Sequence, residues 1–258
     1  MAAFEDRNGS LQTAEPPPLP AGTPWGFWAT TGFLLVAAGV IIAVFLGFLY
    51  GAEFILEELL DVADARSVLD NPFVEDVTTV PLAFLMVAML VFFASRKKGI
   101  TLRQYFSLSP LRLRTIVSWS GMVIVISLTY ITCCVAWELP VRLSYTSYAN
   151  AHPLVVRLVL LSAAAETALA SAMILGFQFA GFRASRLGDW GTVVVITAMW
   201  SPLSLQDGYF EFAFDVAETG LIAIARLRTR SLYPPIAMGV VATFTEMLAV
   251  IGFGLPFE

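Results

Sequence analysis

The sequence predicts an all-α protein, a polytopic bundle of about seven transmembrane helices, with eight as the alternative. Hydrophobic residues make up 58% of the 258 residues and charged residues only 14%, which leaves too little polar surface to cover a water-soluble domain. The apolar residues also occur in runs of about 20, long enough to cross the hydrocarbon core of a bilayer as helices. The lipid bilayer is therefore the first predicted partner.

Charged residues and turn signals divide the chain into a tail and a series of candidate spans. Residues 1–24 form a polar tail rich in proline, a composition that disfavours helix. Residues 25–153 hold the N-terminal spans with an acidic outer loop and a basic inner loop, and residues 154–258 hold the core helices. The predicted spans are 25–50, 77–95, 115–137, 154–182, 190–206, 208–225 and 231–253.

The basic residues predict the orientation of these spans. In the seven-span scheme, twelve of the 15 Lys and Arg residues fall on the side of the N-terminus, and the acidic segment 53–76 falls on the other side. Membrane proteins keep loops rich in Lys and Arg in the cytoplasm. We therefore expect a cytoplasmic N-terminus and an external C-terminus, in the inner membrane of a bacterium.

Charge and cysteine content exclude two classes of function. The formal net charge is -5, and no basic stretch is interleaved with aromatic residues, so no nucleic-acid partner is expected. The only two cysteines, Cys133 and Cys134, are adjacent within an apolar segment. This spacing fits neither a disulfide framework nor a CxxC metal site.

Acidic residues inside the predicted spans are the candidate functional groups. Glu166, Glu218 and Glu246 fall near the middle of three spans, where a charge costs about 2.5 to 3.5 kcal/mol on insertion scales. Glu211, Asp215 and Glu218 also share one helical face, because they are spaced i, i+4 and i+7. The pattern predicts a polar cavity at mid-membrane, and the alternative is that the acids are neutral and join helices through hydrogen bonds.

Three segments of the C-terminal half carry a recognisable order of motifs. They are AETALA (165–170), WSPLS (200–204) and RTRSLYPPI (228–236). Between about 154 and 250, this order resembles the CPBP family of CAAX proteases and Abi-type intramembrane metalloproteases. The family has Glu-Glu-x-x-x-Arg, Phe-x-x-x-His and His-x-x-x-Asn-type motifs on successive core helices around a metal, and its third lead-in reads RTGSLWPPI. The resemblance implies a CPBP-like core in the C-terminal half of the chain.

The departures from those motifs point away from the family's chemistry. Ala165 replaces one motif glutamate and Ala170 the motif arginine, while Ser204 and Gly239 stand at the two histidine positions and Thr243 at the asparagine position. Glycine offers no side-chain donor, and a transition metal in a protein needs several. We therefore predict no metal ligands and no cofactor.

The resulting hypothesis is a catalytically inactive pseudoprotease that acts as a binding, scaffold or assembly subunit. Its expected partner is another integral membrane protein or a hydrophobic or lipidated peptide. Glu166 is the one candidate catalytic residue, and we expect it to be buried and uncharged beside the acids of the sixth or seventh span. The alternatives are an active CPBP-type peptidase that uses Glu166 with other membrane acids, and a proton-coupled carrier. The predicted cavity-lining residues are Ser204, Asp215, Glu218, Gly239, Thr243 and Glu246.

Overall fold

The computed structural model describes residues 24–55, 72–137 and 153–253, and within these ranges every regular element is a helix. The all-α prediction is therefore confirmed for this part of the chain. The proline-rich tail, most of the acidic segment 53–76 and the loop that contains His152 lie outside the described residues.

The helices follow the predicted spans closely in the first half of the chain. Helix α1 begins two residues after the predicted start of the first span, and α2 and α4 contain the second and third spans. A short helix, α3, lies in the basic loop between α2 and α4 and begins with a capping box formed by Thr101 and Gln104. Their bounds are Phe27–Phe54 (α1), Pro72–Ser95 (α2), Leu102–Tyr105 (α3) and Leu113–Trp137 (α4).

The predicted span 154–182 is one continuous helical run in three parts. Helix α5 covers Pro153–Ser171, a π-helical segment covers Ala172–Gln178, and helix α6 covers Phe179–Arg183. The residues at both junctions keep right-handed helical backbone angles, so the run does not break. A π-helix has a wider turn than an α-helix and occurs often at functional sites.

The later spans differ more from the prediction. Helix α7 covers only Gly188–Trp200, and a 3-10 helix, Ser201–Asp207, replaces the rest of the predicted span 190–206. Pro202 explains the change, because proline has no backbone N–H and clashes with the preceding turn of an α-helix. Helices α8 (Tyr209–Thr229) and α9 (Tyr233–Phe253) agree with the last two spans, except that α8 extends four residues beyond the predicted end.

Four helical stretches in the described ranges are long and apolar enough to cross a membrane. They are Phe27–Phe54, Thr78–Ser95, Leu113–Trp137 and Leu154–Arg183. Helices α7, α8 and α9 are not among them, so the count of seven spans stays a prediction.

The distribution of side chains is the reverse of that in a water-soluble bundle. Large apolar residues such as Leu35, Val125 and Val194 are more than half exposed, whereas Ser127 and Thr192 are buried between helices. A soluble protein rarely exposes large contiguous apolar areas. The bundle is therefore compatible with a membrane protein, whose apolar exterior would face lipid.

Helix α9 occupies the centre of the bundle and packs against α4, α5 and α8. Helix α2 packs against α5 and α1, while α7 packs against α8 and α6. The main apolar core lies at one end, around the fully buried rings of Phe177, Phe179 and Phe182.

The basic loops meet at that same end of the bundle. The ring of Trp25, just before α1, donates a hydrogen bond from Nε1 to the carbonyl of Phe93 near the end of α2 (3.1 Å), and the Lys97 ammonium lies 4.6 Å from its ring. Ser231, between α8 and α9, donates from Oγ to the carbonyl of Ser109 (2.8 Å). The N-terminus of α1, the α2–α4 loop and the α8–α9 turn are therefore neighbours.

Candidate ligand cavity

A cavity of about 150 Å³ lies where α5, the π-helical segment, α8 and α9 meet. Small and polar residues form much of its wall, and aliphatic residues close it toward the apolar core. The lining residues are Thr167, Ala170, Ser171, Ile174, Leu175, Glu218, Thr219, Ile222, Gly239, Ala242, Thr243 and Glu246. Four of the predicted cavity-lining residues therefore line this cavity: Glu218, Gly239, Thr243 and Glu246.

Two carboxylates, from different helices, face the cavity. Glu218 is contributed by α8 and Glu246 by α9, and each lies close enough to the other acids of the cluster to interact electrostatically. Asp215, one turn before Glu218 on α8, also acts on both of them. The i, i+4, i+7 spacing thus forms one acidic face on α8, and α9 adds a fourth acid to it.

Helix α4 supplies hydroxyl groups to two members of this acidic cluster. Ser127 donates a hydrogen bond from Oγ to Oε1 of Glu246 (3.3 Å), and the Tyr130 hydroxyl donates to Oε1 of Glu211. Both donors are buried. A carboxylate removed from water needs such partners, so the hydroxyl groups of α4 stabilise Glu246 and Glu211 between the helices.

Close contact between α5 and α9 forms the opposite wall. The hydroxyls of Thr167 and Thr243 share a hydrogen bond of 2.9 Å. At Gly239, an added Cβ would lie 2.9 Å from the Thr167 methyl and 3.1 Å from Oγ of Ser171. The absence of a side chain at Gly239 is therefore a packing requirement in this chain.

Glu166 differs from its prediction. Its side chain is exposed, and Oε2 accepts a hydrogen bond from the Thr79 hydroxyl of α2 at 3.5 Å. The expectation that Glu166 is buried beside the acids of α8 and α9 is wrong. One residue along an α-helix turns the side chain by about 100°, so Glu166 points away from the cavity that its neighbour Thr167 lines.

Ser204 is buried but does not line the cavity, so that part of the prediction is also wrong. It lies in the 3-10 helix, where its Oγ donates to the carbonyl of Ser201 at 2.6 Å. Trp200, at the start of the same motif-like segment, donates from Nε1 to Oε1 of Gln178 at 2.8 Å. Asp215 does not line the cavity either, but it interacts electrostatically with Glu218, which does.

The positions that would hold the metal of a CPBP-type peptidase do not form a ligand set here. Glu166 and Ser204 lie outside the cavity, and Gly239, which lines it, has no donor. Among the described residues, no group of three or more His, Cys, Asp or Glu side chains has the geometry to hold a metal ion. These residues do not fit a catalytic zinc.

Comparisons of the chain with protein-family models, with curated proteins and with solved structures find no match. The function must therefore be argued from the cavity and its surroundings.

Arg226 is a buried residue close to the cavity that the sequence analysis did not predict. We expected it in a cytoplasmic loop, but it lies within the last turns of α8 and is 4% exposed. Nε donates to the carbonyl of Leu175 (2.9 Å) and Nη2 to that of Phe106 (3.3 Å). Leu175 lines the cavity, so the buried guanidinium lies behind the cavity wall, on the side of the basic loops. The missed signal was the i+4 spacing of Arg226 from Ile222, which continues the inward face of α8.

Proposed function

We propose that this chain is a multi-pass membrane protein with a degenerate CPBP-like core, whose intramembrane cavity binds a ligand and does not hydrolyse it. The expected ligand is a segment of another integral membrane protein, or a hydrophobic or lipidated peptide. The observation that carries the proposal is the convergence of Ala170, Gly239 and Thr243 on one cavity. These three positions align with metal-site motif residues on two separate helices, yet none of the three can replace a histidine as a ligand.

The lead-in to the third motif supplies independent support for the alignment. Arg230 ends α8 in the left-handed conformation, with φ 51°. Glycine is the residue most often found at such a helix end, because it has no Cβ to clash. In the family's RTGSLWPPI segment, glycine occupies this very position. The chain thus keeps the backbone turn that the aligned motif would require, although the residue has changed.

We propose seven spans, with the N-terminus in the cytoplasm and the C-terminus outside a bacterial inner membrane. Support comes from the meeting of the basic loops at one end of the bundle, because such loops stay on the cytoplasmic side. The acidic cluster begins with Glu211 in the first turn of α8, at the other end.

Cysteine labelling in intact cells tests this topology. We expect a membrane-impermeant maleimide to label Asp64→Cys in intact cells and Lys98→Cys only after permeabilisation, in a background with Cys133 and Cys134 replaced by alanine. Lys98 is exposed, so its accessibility reports the side of the membrane and not burial. Labelling of both positions from one side would rule out the proposed arrangement.

The two alternative functions have less support from the geometry. A peptidase that uses Glu166 with the other membrane acids would need them together, whereas Glu166 contacts Thr79 on an outer face of the bundle. A proton-coupled carrier would need a path from the cavity to the basic end. Arg226 stands in that direction, and a fixed positive charge opposes the passage of cations.

Metal content and hydrolysis test the loss of family chemistry. We expect the protein, purified in mild detergent, to contain zinc far below one atom per chain and to leave a CAAX-type test peptide uncleaved. The reason is that the cavity offers carboxylates and hydroxyls but no nitrogen ligand.

A matched variant makes this measurement decisive. If the preparation showed one zinc per chain, together with cleavage that a chelator abolished, the pseudoenzyme proposal would be wrong. Glu218→Gln would then show whether the cavity acids take part in that activity.

Identification of proteins that copurify with the wild type, but not with an Ala170→Leu variant that fills the cavity, would name the partner.

A further inference from the structure

The cavity is asymmetric in a way that indicates the chemistry of its ligand. Glu218 and Glu246 place two carboxylates on the side of α8 and α9. Glu246 accepts a hydrogen bond from Ser127, whereas none of the described residues donates one to Glu218. The Glu218 side chain is half-buried between the helices and faces the cavity. A carboxylate held between helices is stabilised by hydrogen-bond donors, and for Glu218 the cavity is the direction from which a donor can approach.

The rest of the wall defines what else that donor must carry. Ile174, Leu175 and Ile222 form an aliphatic surface next to the two acids. The volume of about 150 Å³ equals that of an engineered cavity known to accept benzene. The space therefore suits one charged head with a short apolar chain.

We propose, on the basis of the ligand-binding function above, that the cavity binds a primary ammonium or guanidinium group on a short apolar chain, such as the end of a lysine or arginine side chain. An ammonium has three N–H donors and no acceptor. Glu218 and Glu246 accept two of these hydrogen bonds, and the hydroxyl oxygen of Thr243 is available in the same wall. The positive charge also removes the repulsion between the two carboxylates.

The surroundings of the cavity favour a cation that arrives from the end opposite the basic loops. Glu211 and Asp215 extend the acidic face of α8 in that direction, and both act electrostatically on Glu246. Such a series of like charges attracts a cation and raises its local concentration. Arg226, eight residues after Glu218 and thus about 12 Å further along the helix axis, limits how far the cation can travel.

Titration with n-butylammonium tests the proposal directly on the full chain in detergent micelles. We expect n-butylammonium to raise the unfolding temperature in a saturable manner. We expect no such effect from 1-pentanol, an uncharged molecule with one more heavy atom. We expect Glu218→Gln and Glu246→Gln each to weaken the binding by about 30-fold or more, the usual result when one partner of a buried charge pair is truncated. Glu166→Gln is the matched control, because Glu166 lies outside the cavity, and it should bind like the wild type.

Two further arms keep the result interpretable. Ala170→Leu fills the cavity without changing its charge, so it should abolish binding even if a glutamine variant does not fold. A hydrophobic peptide with one lysine, compared with the same peptide carrying norleucine, separates a side-chain ligand from a free amine, and tight binding of either cation supports the proposal.

Equal effects of butylammonium and pentanol, or wild-type affinity in Glu218→Gln or in Ala170→Leu, would overturn the cationic ligand. Neither outcome bears on the pseudoenzyme proposal, which depends on zinc content and hydrolysis.

Discussion

Replacement of Arg226 by leucine is expected to lower the free energy of unfolding by about 2 to 4 kcal/mol, because two buried carbonyl groups lose their donor. The carbonyls of Leu175 and Phe106 belong to the π-helical segment and to the loop after α3, and the one guanidinium connects both to α8. The ring of Phe179 lies 5.6 Å from the same guanidinium. Thermal unfolding in detergent measures the loss.

Arg228 provides the matched control for this prediction. It lies two residues later on α8 and is exposed, and its guanidinium lies 5.7 Å from the centre of the Trp190 ring. We expect Arg228→Leu to cost about 0.5 to 1 kcal/mol at most, the usual value of an exposed cation–π contact. Arg226→Lys should recover part of the stability, because an ammonium can reach one carbonyl but cannot match the planar geometry of two. Equal losses at the two arginines would mean that the buried contacts do not stabilise the fold.

The sequence predicted the helices well where an apolar run is bounded by charged residues. Helix α4 and the run from α5 to α6 agree with their predicted bounds to within about two residues, because the charges at each end fix where an apolar helix can stop. The sequence did not predict the end of α7 at Trp200. Hydropathy continues through Leu203 and Leu205, and only the backbone chemistry of Pro202 ends the α-helix.

The acidic cluster was predicted in part, and for a clear reason. The spacing of Glu211, Asp215 and Glu218 fixes a common face from the sequence alone, and Glu246 could be assigned to the same depth. Sequence spacing cannot say which face of α5 turns toward that depth. Glu166 and Thr167 are adjacent, and the structure places Thr167 in the cavity wall and Glu166 outside.

Arg226 shows a different limit of sequence analysis. The positive-inside pattern treats all basic residues near a span as loop residues, so Arg226, Arg228 and Arg230 were indistinguishable. Only the packing of α8 against the π-helical segment and the α3 loop separates the buried Arg226 from the exposed Arg228 and Arg230. The π-helical segment itself has no sequence signature that we could have used.

The close approach of α1 to α6 gives the second large expected effect. Gly181 is buried against Thr30, and an added Cβ would lie 1.9 Å from the Thr30 hydroxyl oxygen and 2.7 Å from its Cβ. Thr30 cannot rotate away freely, because it is fully buried and its hydroxyl donates to the carbonyl of Trp25 at 3.1 Å. Of the residues of α1, only Thr30, Leu34 and Ala37 are buried, so this contact is one of the few that hold α1 to the bundle.

We therefore expect Gly181→Ala to lower the free energy of unfolding by about 1 to 3 kcal/mol, the usual cost of overpacking, even though alanine is the better helix former. Gly121→Ala is the matched control, because a Cβ at Gly121 in α4 meets nothing within 4 Å and should be neutral or stabilising by up to about 1 kcal/mol. In a double-mutant cycle, Thr30→Ala should relieve part of the damage, since it removes the hydroxyl that the new methyl meets. Thermal unfolding of the wild type, the two single variants and the double variant measures the coupling. If the losses in free energy of unfolding at positions 30 and 181 were additive, α1 would not pack on α6 through this pair.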